Sequence, residues 1–175
     1  PLAAPSANAS GGISPTSAAH VLRSLGGRIP LVIDGGTTAQ GLESTIIAPE
    51  TDRIRLLRPG PVTAEMLDRA SGLPVTGSDG RIIEAPGQLA SHYAPGKPLR
   101  LNATSARIDE YLIGFGAMAC DTNLSETGNL EQAASRLFAA LHMADMSTQA
   151  RIAVAPVPQE GIGIAINDRL IRAAA

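Results

Sequence analysis

Aromatic side chains are nearly absent: there is no tryptophan, and only two phenylalanines and two tyrosines stand among 175 residues. A core without large rings must be filled by aliphatic side chains and alanine. At 44% hydrophobic residues the chain has enough of these for one ordinary domain or two small ones. A single cysteine, Cys120, excludes an internal disulfide framework and suits a reducing compartment. Lysine and arginine number 14 against 16 acids, with no basic run and a net charge of -2. That balance lacks the footprint of a nucleic-acid or anionic-membrane binder. No uninterrupted apolar stretch reaches spanning length and no charged-then-apolar leader is seen, so a cytoplasmic protein with no membrane partner is expected. The three histidines are scattered and show no metal-ligand spacing. The chain opens at Pro1 on turn residues, so we expect a segment that begins inside a domain.

What is present divides at Ala85-Pro86-Gly87-Gln88-Leu89-Ala90-Ser91-His92-Tyr93-Ala94-Pro95-Gly96-Lys97. Two prolines, two glycines and no apolar period make it an ordered connector. We therefore read an α/β unit over 1–84, a linker over 85–97 and a smaller α/β unit over 98–175. Tyr93 places a scarce ring in the linker, either as a plug against a neighbouring domain or as a ligand contact.

In the first unit, residues 3–12 form a loop of small residues in which Ser6 and Asn8 offer short hydrogen-bonding side chains. Such a loop suits a bound polar ligand or a plain turn. Ser14-Pro15 predicts an N-cap and first helical residue, with Ala18, Val21, Leu22 and Leu25 on one face, His20 off it in solvent, and Gly26-Gly27 at the end. Residues 29–33 predict a strand running into the turn at Asp34-Gly35-Gly36. Two further β runs, 45–47 and 54–57, predict an antiparallel pair that sets Ser44 and Thr45 beside Arg58. Hydroxyls and a guanidinium at one sheet edge suit bidentate capture of a carboxylate or phosphate. Thr63 and Gly72 bracket a helix with Met66, Leu67 and Ala70 on its apolar side, and residues 73–84 return as an irregular or short-stranded segment.

The second unit alternates strand and helix. Strands are predicted at 99–101, within 111–118 and at 151–155, with a loop over 121–128. Asn129 with Gln132 resembles a capping box ahead of a stripe of Leu130, Ala133, Ala134, Leu137, Phe138 and Leu141. A last helix near Gly161 is expected to bury Ile164, Leu170, Ile171 and Ala174. This order predicts a small Rossmann-like layer with a parallel sheet. Gly161-Ile162-Gly163 lacks the third glycine and the distant acid of a dinucleotide fingerprint, and reads as a helix start.

Ala4-Pro5-Ser6-Ala7-Asn8, Gly41-Leu42-Glu43-Ser44-Thr45, Leu57-Arg58-Pro59-Gly60 and Pro86-Gly87 with His92-Tyr93-Ala94-Pro95 follow one another in this order. Glu160-Gly161-Ile162-Gly163 and Ala165-Ile166-Asn167-Asp168-Arg169-Leu170 come after them. Together they resemble the long, two-domain threonylcarbamoyl-AMP synthase family over nearly the whole chain. The resemblance implies a partial YrdC-like catalytic domain followed by the accessory domain, and an activity joining L-threonine, bicarbonate and ATP, with magnesium, for threonylcarbamoyladenosine in tRNA. It implies that Ser6 and Asn8 lie around threonine and nucleotide, that Ser44 helped by Thr45 contacts threonine, and that Arg58 grips phosphate. Ser14 or Thr16 would add a nucleotide contact, and Tyr93 would reach back from the connector. tRNA-modification proteins are implied as indirect partners. Double-stranded RNA binding goes with the family, and the acidic balance weighs against direct RNA contact here. Two departures stand out. The basic residues that hold the triphosphate in the family lie upstream of the Pro-Ser-Ala-Asn loop, so the chain alone is expected to be inactive. Residues Gln88, Leu89, Ala90 and Ser91 replace a more basic and aromatic run. A non-catalytic nucleotide- or RNA-binding module is the alternative reading.

Overall fold

Apolar residues on either side of a Pro49–Asp52 turn, Ile46 and Ile47 before it and Ile54, Leu56 and Leu57 after it, give the hairpin its strands, β1 (Ile46–Pro49) and β2 (Ile54–Arg58), which pair antiparallel. The register sets Ile46 opposite Arg58, as the sequence predicts. The structure, a computed structural model, describes residues 4–77 and 84–175. Ahead of the hairpin lies α1 (Ala18–Leu25), and after it α2 (Ala64–Ser71) leads to β3 (Val75–Gly77), which joins β2 in parallel. Thr63 caps α2 by accepting from the Met66 amide, and Gly72 ends it in the left-handed conformation. The expected return over 73–84 is thus a short strand, with residues 78–83 outside the described part.

Three expectations for this half are corrected. The N-cap of α1 is Ser17, whose side chain accepts from the His20 amide, and not Ser14. The Ser14 hydroxyl is instead turned onto Glu43, so Pro15 stands outside the helix. No residue of α1 is fully buried, and Leu22 is largely exposed, so its apolar face is not a core face among the described residues. Residues 29–33 form no strand: Leu31 and Ile33 are 71% and 84% exposed. β propensity needs a neighbour to supply the ladder, and no described strand lies beside this run. The following turn does form, with the Asp34 carboxylate accepting from the Gly36 amide at 2.9 Å.

The second half is an all-parallel sheet in the order β4-β7-β5-β6, made of β4 (Leu99–Arg100), β5 (Glu110–Gly114), β6 (Thr122–Asn123) and β7 (Arg151–Val154). β6 lies in the stretch expected to be loop. Helices α3 (Leu130–Met146) and α4 (Gly163–Ala173) pack with it. Asn129 caps α3 by accepting from the Gln132 amide at 2.7 Å, while its own amide is satisfied by the Ser125 hydroxyl. Of the predicted stripe, Ala133, Ala134, Leu137, Phe138 and Leu141 are buried against Ile113, Ile152, Val154 and Ile166, and Leu130 packs on them half-buried. Burial of such aliphatic surface contributes about 25 cal/mol per Å² and is the main force holding this half.

The buried face of α4 differs from expectation. Ala165, Ile166, Arg169, Leu170 and Ala173 point inward, while Ile164, Ile171 and Ala174 do not. The helix starts two residues late, and its inward face carries a guanidinium with partners in the other half of the chain. At the start of the sheet Arg100 holds the buried Glu110 carboxylate at 2.7 and 2.6 Å and pushes it down to about 2. No helix among the described residues is long and apolar enough to cross a membrane.

Candidate functional site

The connector is strapped to both halves of the chain. The Ala94 amide donates to the Gly11 carbonyl at 2.9 Å, forming a bridge between Gly12 and Ala94. The His92 amide donates to the Arg172 carbonyl, the Gly96 amide to the Asp145 carboxylate, and Lys97 to the Ala144 and Ser147 carbonyls at the end of α3. Tyr93, between these ties, is 1% exposed with φ at +64°, a conformation few side-chain-bearing residues adopt. Its ring lies against Phe138 and His92, and the Arg169 guanidinium sits 5.1 Å from its centroid.

Arg58 is buried at the end of β2. Its Nε and Nη2 donate to the Ser44 carbonyl at 3.1 and 2.8 Å, Nη2 also to the Ser44 hydroxyl at 3.3 Å, and Nη1 to the Pro86 carbonyl at 3.2 Å. A guanidinium has five N–H groups, so among the described residues one is uncommitted. The bidentate grip expected from the sequence is therefore not open here: Arg58 presents one N–H and otherwise ties the Ser44 strand end to the connector. Gly87, at φ +84°, lets the connector approach so closely that a Cβ there would lie 2.3 Å from the Tyr93 oxygen and 3.2 Å from Arg58 Cδ. Ser44, Arg58 and Tyr93 thus meet at one place.

The other expected site residues distribute around it. Ser14 bonds Glu43 through its hydroxyl, and Ser6, Ser14, Gly41 and Glu43 line a cavity of about 180 Å³. Asn8 donates to the Ala9 and Gly12 carbonyls at 2.9 and 3.1 Å, which joins its loop to the connector through Gly12, and its buried Oδ1 has no partner among the described residues. Thr45 faces away: its hydroxyl donates to the Val62 carbonyl at 2.7 Å and accepts from the Val62 amide at 3.0 Å, closing the backbone there. Thr16 lies with His20, not with Arg58. Its hydroxyl is 3.2 Å from His20 Nδ1.

His20 is not solvated as the sequence suggests. It stacks on His142 of α3 at 3.9 Å between centroids, and His142 Nε2 lies 3.1 Å from the Ser14 carbonyl. Burial, then His142 and Arg23, push the His20 imidazole down to about 4. Burial also lowers His142 and His92, and raises the Tyr93 phenol.

Sequence reasoning missed Glu43 and Arg169. Glu43 receives Arg169 Nε at 2.9 Å while also bonding Ser14. Their sequence signal was the Gly-Leu-Glu-Ser-Thr and Asn-Asp-Arg-Leu motifs. Pairing across 126 positions leaves no trace in either one alone.

Two family models divide the chain. One described as "Threonylcarbamoyl-AMP synthase, C-terminal domain" matches residues 62–175, and one described as "Telomere recombination" matches residues 1–60. The chain is similar to the threonylcarbamoyl-AMP synthase of Bacillus subtilis, 35% identical over 99% of this chain and 57% of that protein. It resembles the one from Pyrococcus abyssi at 33% over the same shares. A crystal structure of P. abyssi Sua5 complexed with L-threonine matches it with a TM-score of 0.81 at 32% identity, covering 97% of this chain and 56% of that one. The chain thus spans little more than half the length of these relatives. Motif order, the parallel-sheet unit behind the connector and a family match over 62–175 agree, and the chain belongs to the threonylcarbamoyl-AMP synthase family.

Proposed function

We propose that this chain serves the synthesis of L-threonylcarbamoyladenylate for tRNA threonylcarbamoyladenosine, as the part of a longer polypeptide that follows its main phosphate-binding segment. We divide it into a catalytic part over 1–84, the linker over 85–97 and an accessory domain over 98–175. The observation that carries this reading is the meeting of Ser44, Arg58 and Tyr93 through Gly87.

In the proposed reaction the threonine amine and bicarbonate give a carbamate and water. A carbamate oxygen then attacks the α-phosphorus of ATP and pyrophosphate departs. Such chemistry asks for alignment and neutralised charge and for no side-chain nucleophile. Ser44 is exposed at the sheet edge and offers its hydroxyl to threonine, Arg58 offers its uncommitted N–H to an anion, and Ser6, Ser14 and Asn8 border the neighbouring cavity and loop. Thr45 and Thr16 support this site through Val62 and His20. Among the described residues no three His, Cys, Asp or Glu side chains converge to hold a metal ion; magnesium, which binds through substrate phosphates with few protein carboxylates, would enter with ATP.

Pyrophosphate release from L-threonine, bicarbonate and ATP tests the reading. The 175-residue chain is expected to be inactive and the longer polypeptide active. In the latter, Arg58→Ala is expected to lower kcat/KM about 100-fold, the scale for losing a charged positioning group. Turnover unchanged by Arg58→Ala overturns the assignment.

A further inference from the structure

Arg169 is 0% exposed on α4, outside the part of the chain that carries Ser44 and Arg58. An arginine is taken wholly out of water only where partners meet its charge and its N–H groups, because desolvating an ion costs several kcal/mol. Here Nε donates to Glu43 at 2.9 Å, Nη2 to the Pro59 carbonyl at 3.0 Å and Nη1 to Asp168, while the cation lies over the Tyr93 ring. Burial works against its charge, and Tyr93, Glu43 and Asp168 outweigh that, so its pKa is raised.

Those partners are not scattered. Glu43 directly precedes Ser44 and holds the Ser14 hydroxyl, Pro59 directly follows Arg58, and Tyr93 is the connector ring. One planar fork therefore touches the immediate neighbours of Ser44 and Arg58, and its cation lies over Tyr93 itself. The segments it joins are already pressed together: a Cβ on Gly60 would lie 2.5 Å from the Thr45 amide nitrogen and 2.8 Å from the Glu43 carbonyl. Small displacements in such packing are not absorbed locally. Asp168 in turn binds Arg172, which donates to Leu89 in the connector at 2.7 Å and accepts from the His92 amide, so with Arg169 over Tyr93 the same turn of α4 grips the linker three times.

We propose that Arg169 is a positioning residue, through which the accessory domain sets Ser44, Arg58 and Tyr93 in register with one another. The proposal rests on the function given above. It assigns the accessory domain a task at the site, fixing its geometry from behind without touching substrate.

The test uses the longer polypeptide with Arg169→Lys, which keeps the charge and loses the fork. Threonine KM is expected to rise about 10-fold or more, on the scale by which small misplacements of binding groups cost rate and affinity. Amide hydrogen exchange at 43–45 and 58–60 should quicken about 10-fold while that of β5 and β7 is unchanged. Glu43→Gln, which keeps an acceptor and removes the charge, serves where the lysine variant fails to fold, with the same pattern in smaller measure. Quickened exchange with unchanged KM reduces Arg169 to a structural brace and overturns the proposal, as does no change in either. An unsubstituted protein without turnover overturns the functional reading, and the proposal with it, whereas an active protein with an indifferent Arg169→Lys overturns the proposal alone.

Discussion

Tyr93→Phe separates the two tasks a buried connector ring can have. The phenolic oxygen is shielded from solvent and has no hydrogen-bond partner among the described residues, while the ring packs on Phe138 and beneath Arg169. A buried polar group left unpaired costs about 1–3 kcal/mol. Replacing the tyrosine removes that cost and keeps the ring, and a small void takes back part of the gain. The net expectation is a stabilisation of about 1 kcal/mol, or a melting temperature higher by about 2–4 °C for a chain of this size. That measurement is made on the ligand-free protein. If the hydroxyl is kept because it meets the nucleotide, ATP affinity of the longer polypeptide should fall at the same time by about 5–10-fold, the worth of one hydrogen bond. Higher stability with weaker binding is thus the signature of a ligand contact held at a cost to the fold. A lower melting temperature would show that the hydroxyl is satisfied, and would refute the argument at its first step. Higher stability with unchanged affinity would make Tyr93 a plug.

Gly87→Ala should destabilise by about 1 kcal/mol from its positive φ alone, with a further cost from the Cβ placed 2.3 Å from the Tyr93 oxygen. Combined with Tyr93→Phe, which deletes that oxygen, the loss should be smaller than the sum of the two single changes. Additivity in chemical denaturation would show that the close approach is not real. The stacked pair His20 and His142 faces Arg23 from α1, Asp145 from α3, and the Ser14 carbonyl and Thr16 hydroxyl from the preceding loop. With His20 lowered from 6.5 to about 4, the folded state binds fewer protons than the unfolded one over that interval. Stability is therefore fully present above pH 6.5 and is lost as pH falls towards 4. His20→Asn should flatten that slope in urea titrations at pH 5 and 7, and an unchanged slope would exclude the pair as its source.

Which parts of the fold could be read from the sequence depended on whether the controlling contacts were local. The caps at Thr63 and Asn129, the turn at Asp34 and the helical stripe from Ala133 to Leu141 each depend on residues a few positions apart, and each formed as expected. The hairpin also followed from local sequence, and its register alone carried Arg58 to Ser44, so that part of the candidate site was legible in the sequence. Residues 29–33 show the opposite case. They carry β-branched residues as 45–47 do, yet Pro30 withholds a ladder N–H and Ile33 is exposed, because a strand is made by its neighbour as much as by its own propensity. Ser14 shows a second limit: the Ser-Pro pair is a good helix start, and the hydroxyl went to a carboxylate 29 positions away instead. The burial of α4 was misjudged for the same reason. An apolar count favours Ile164 and Ile171, whereas the observed face is the one that brings Arg169 to Glu43 and Pro59. A buried charge outranks a methyl group in fixing a helix's rotation, since the cost of leaving it unpaired is several times the gain from burying one more aliphatic side chain. It follows that Arg169→Met, near in volume and free of the charge, would remove the reason for this rotation while leaving the helix its apolar residues, and the loss would be felt first at the connector and only later in the sheet.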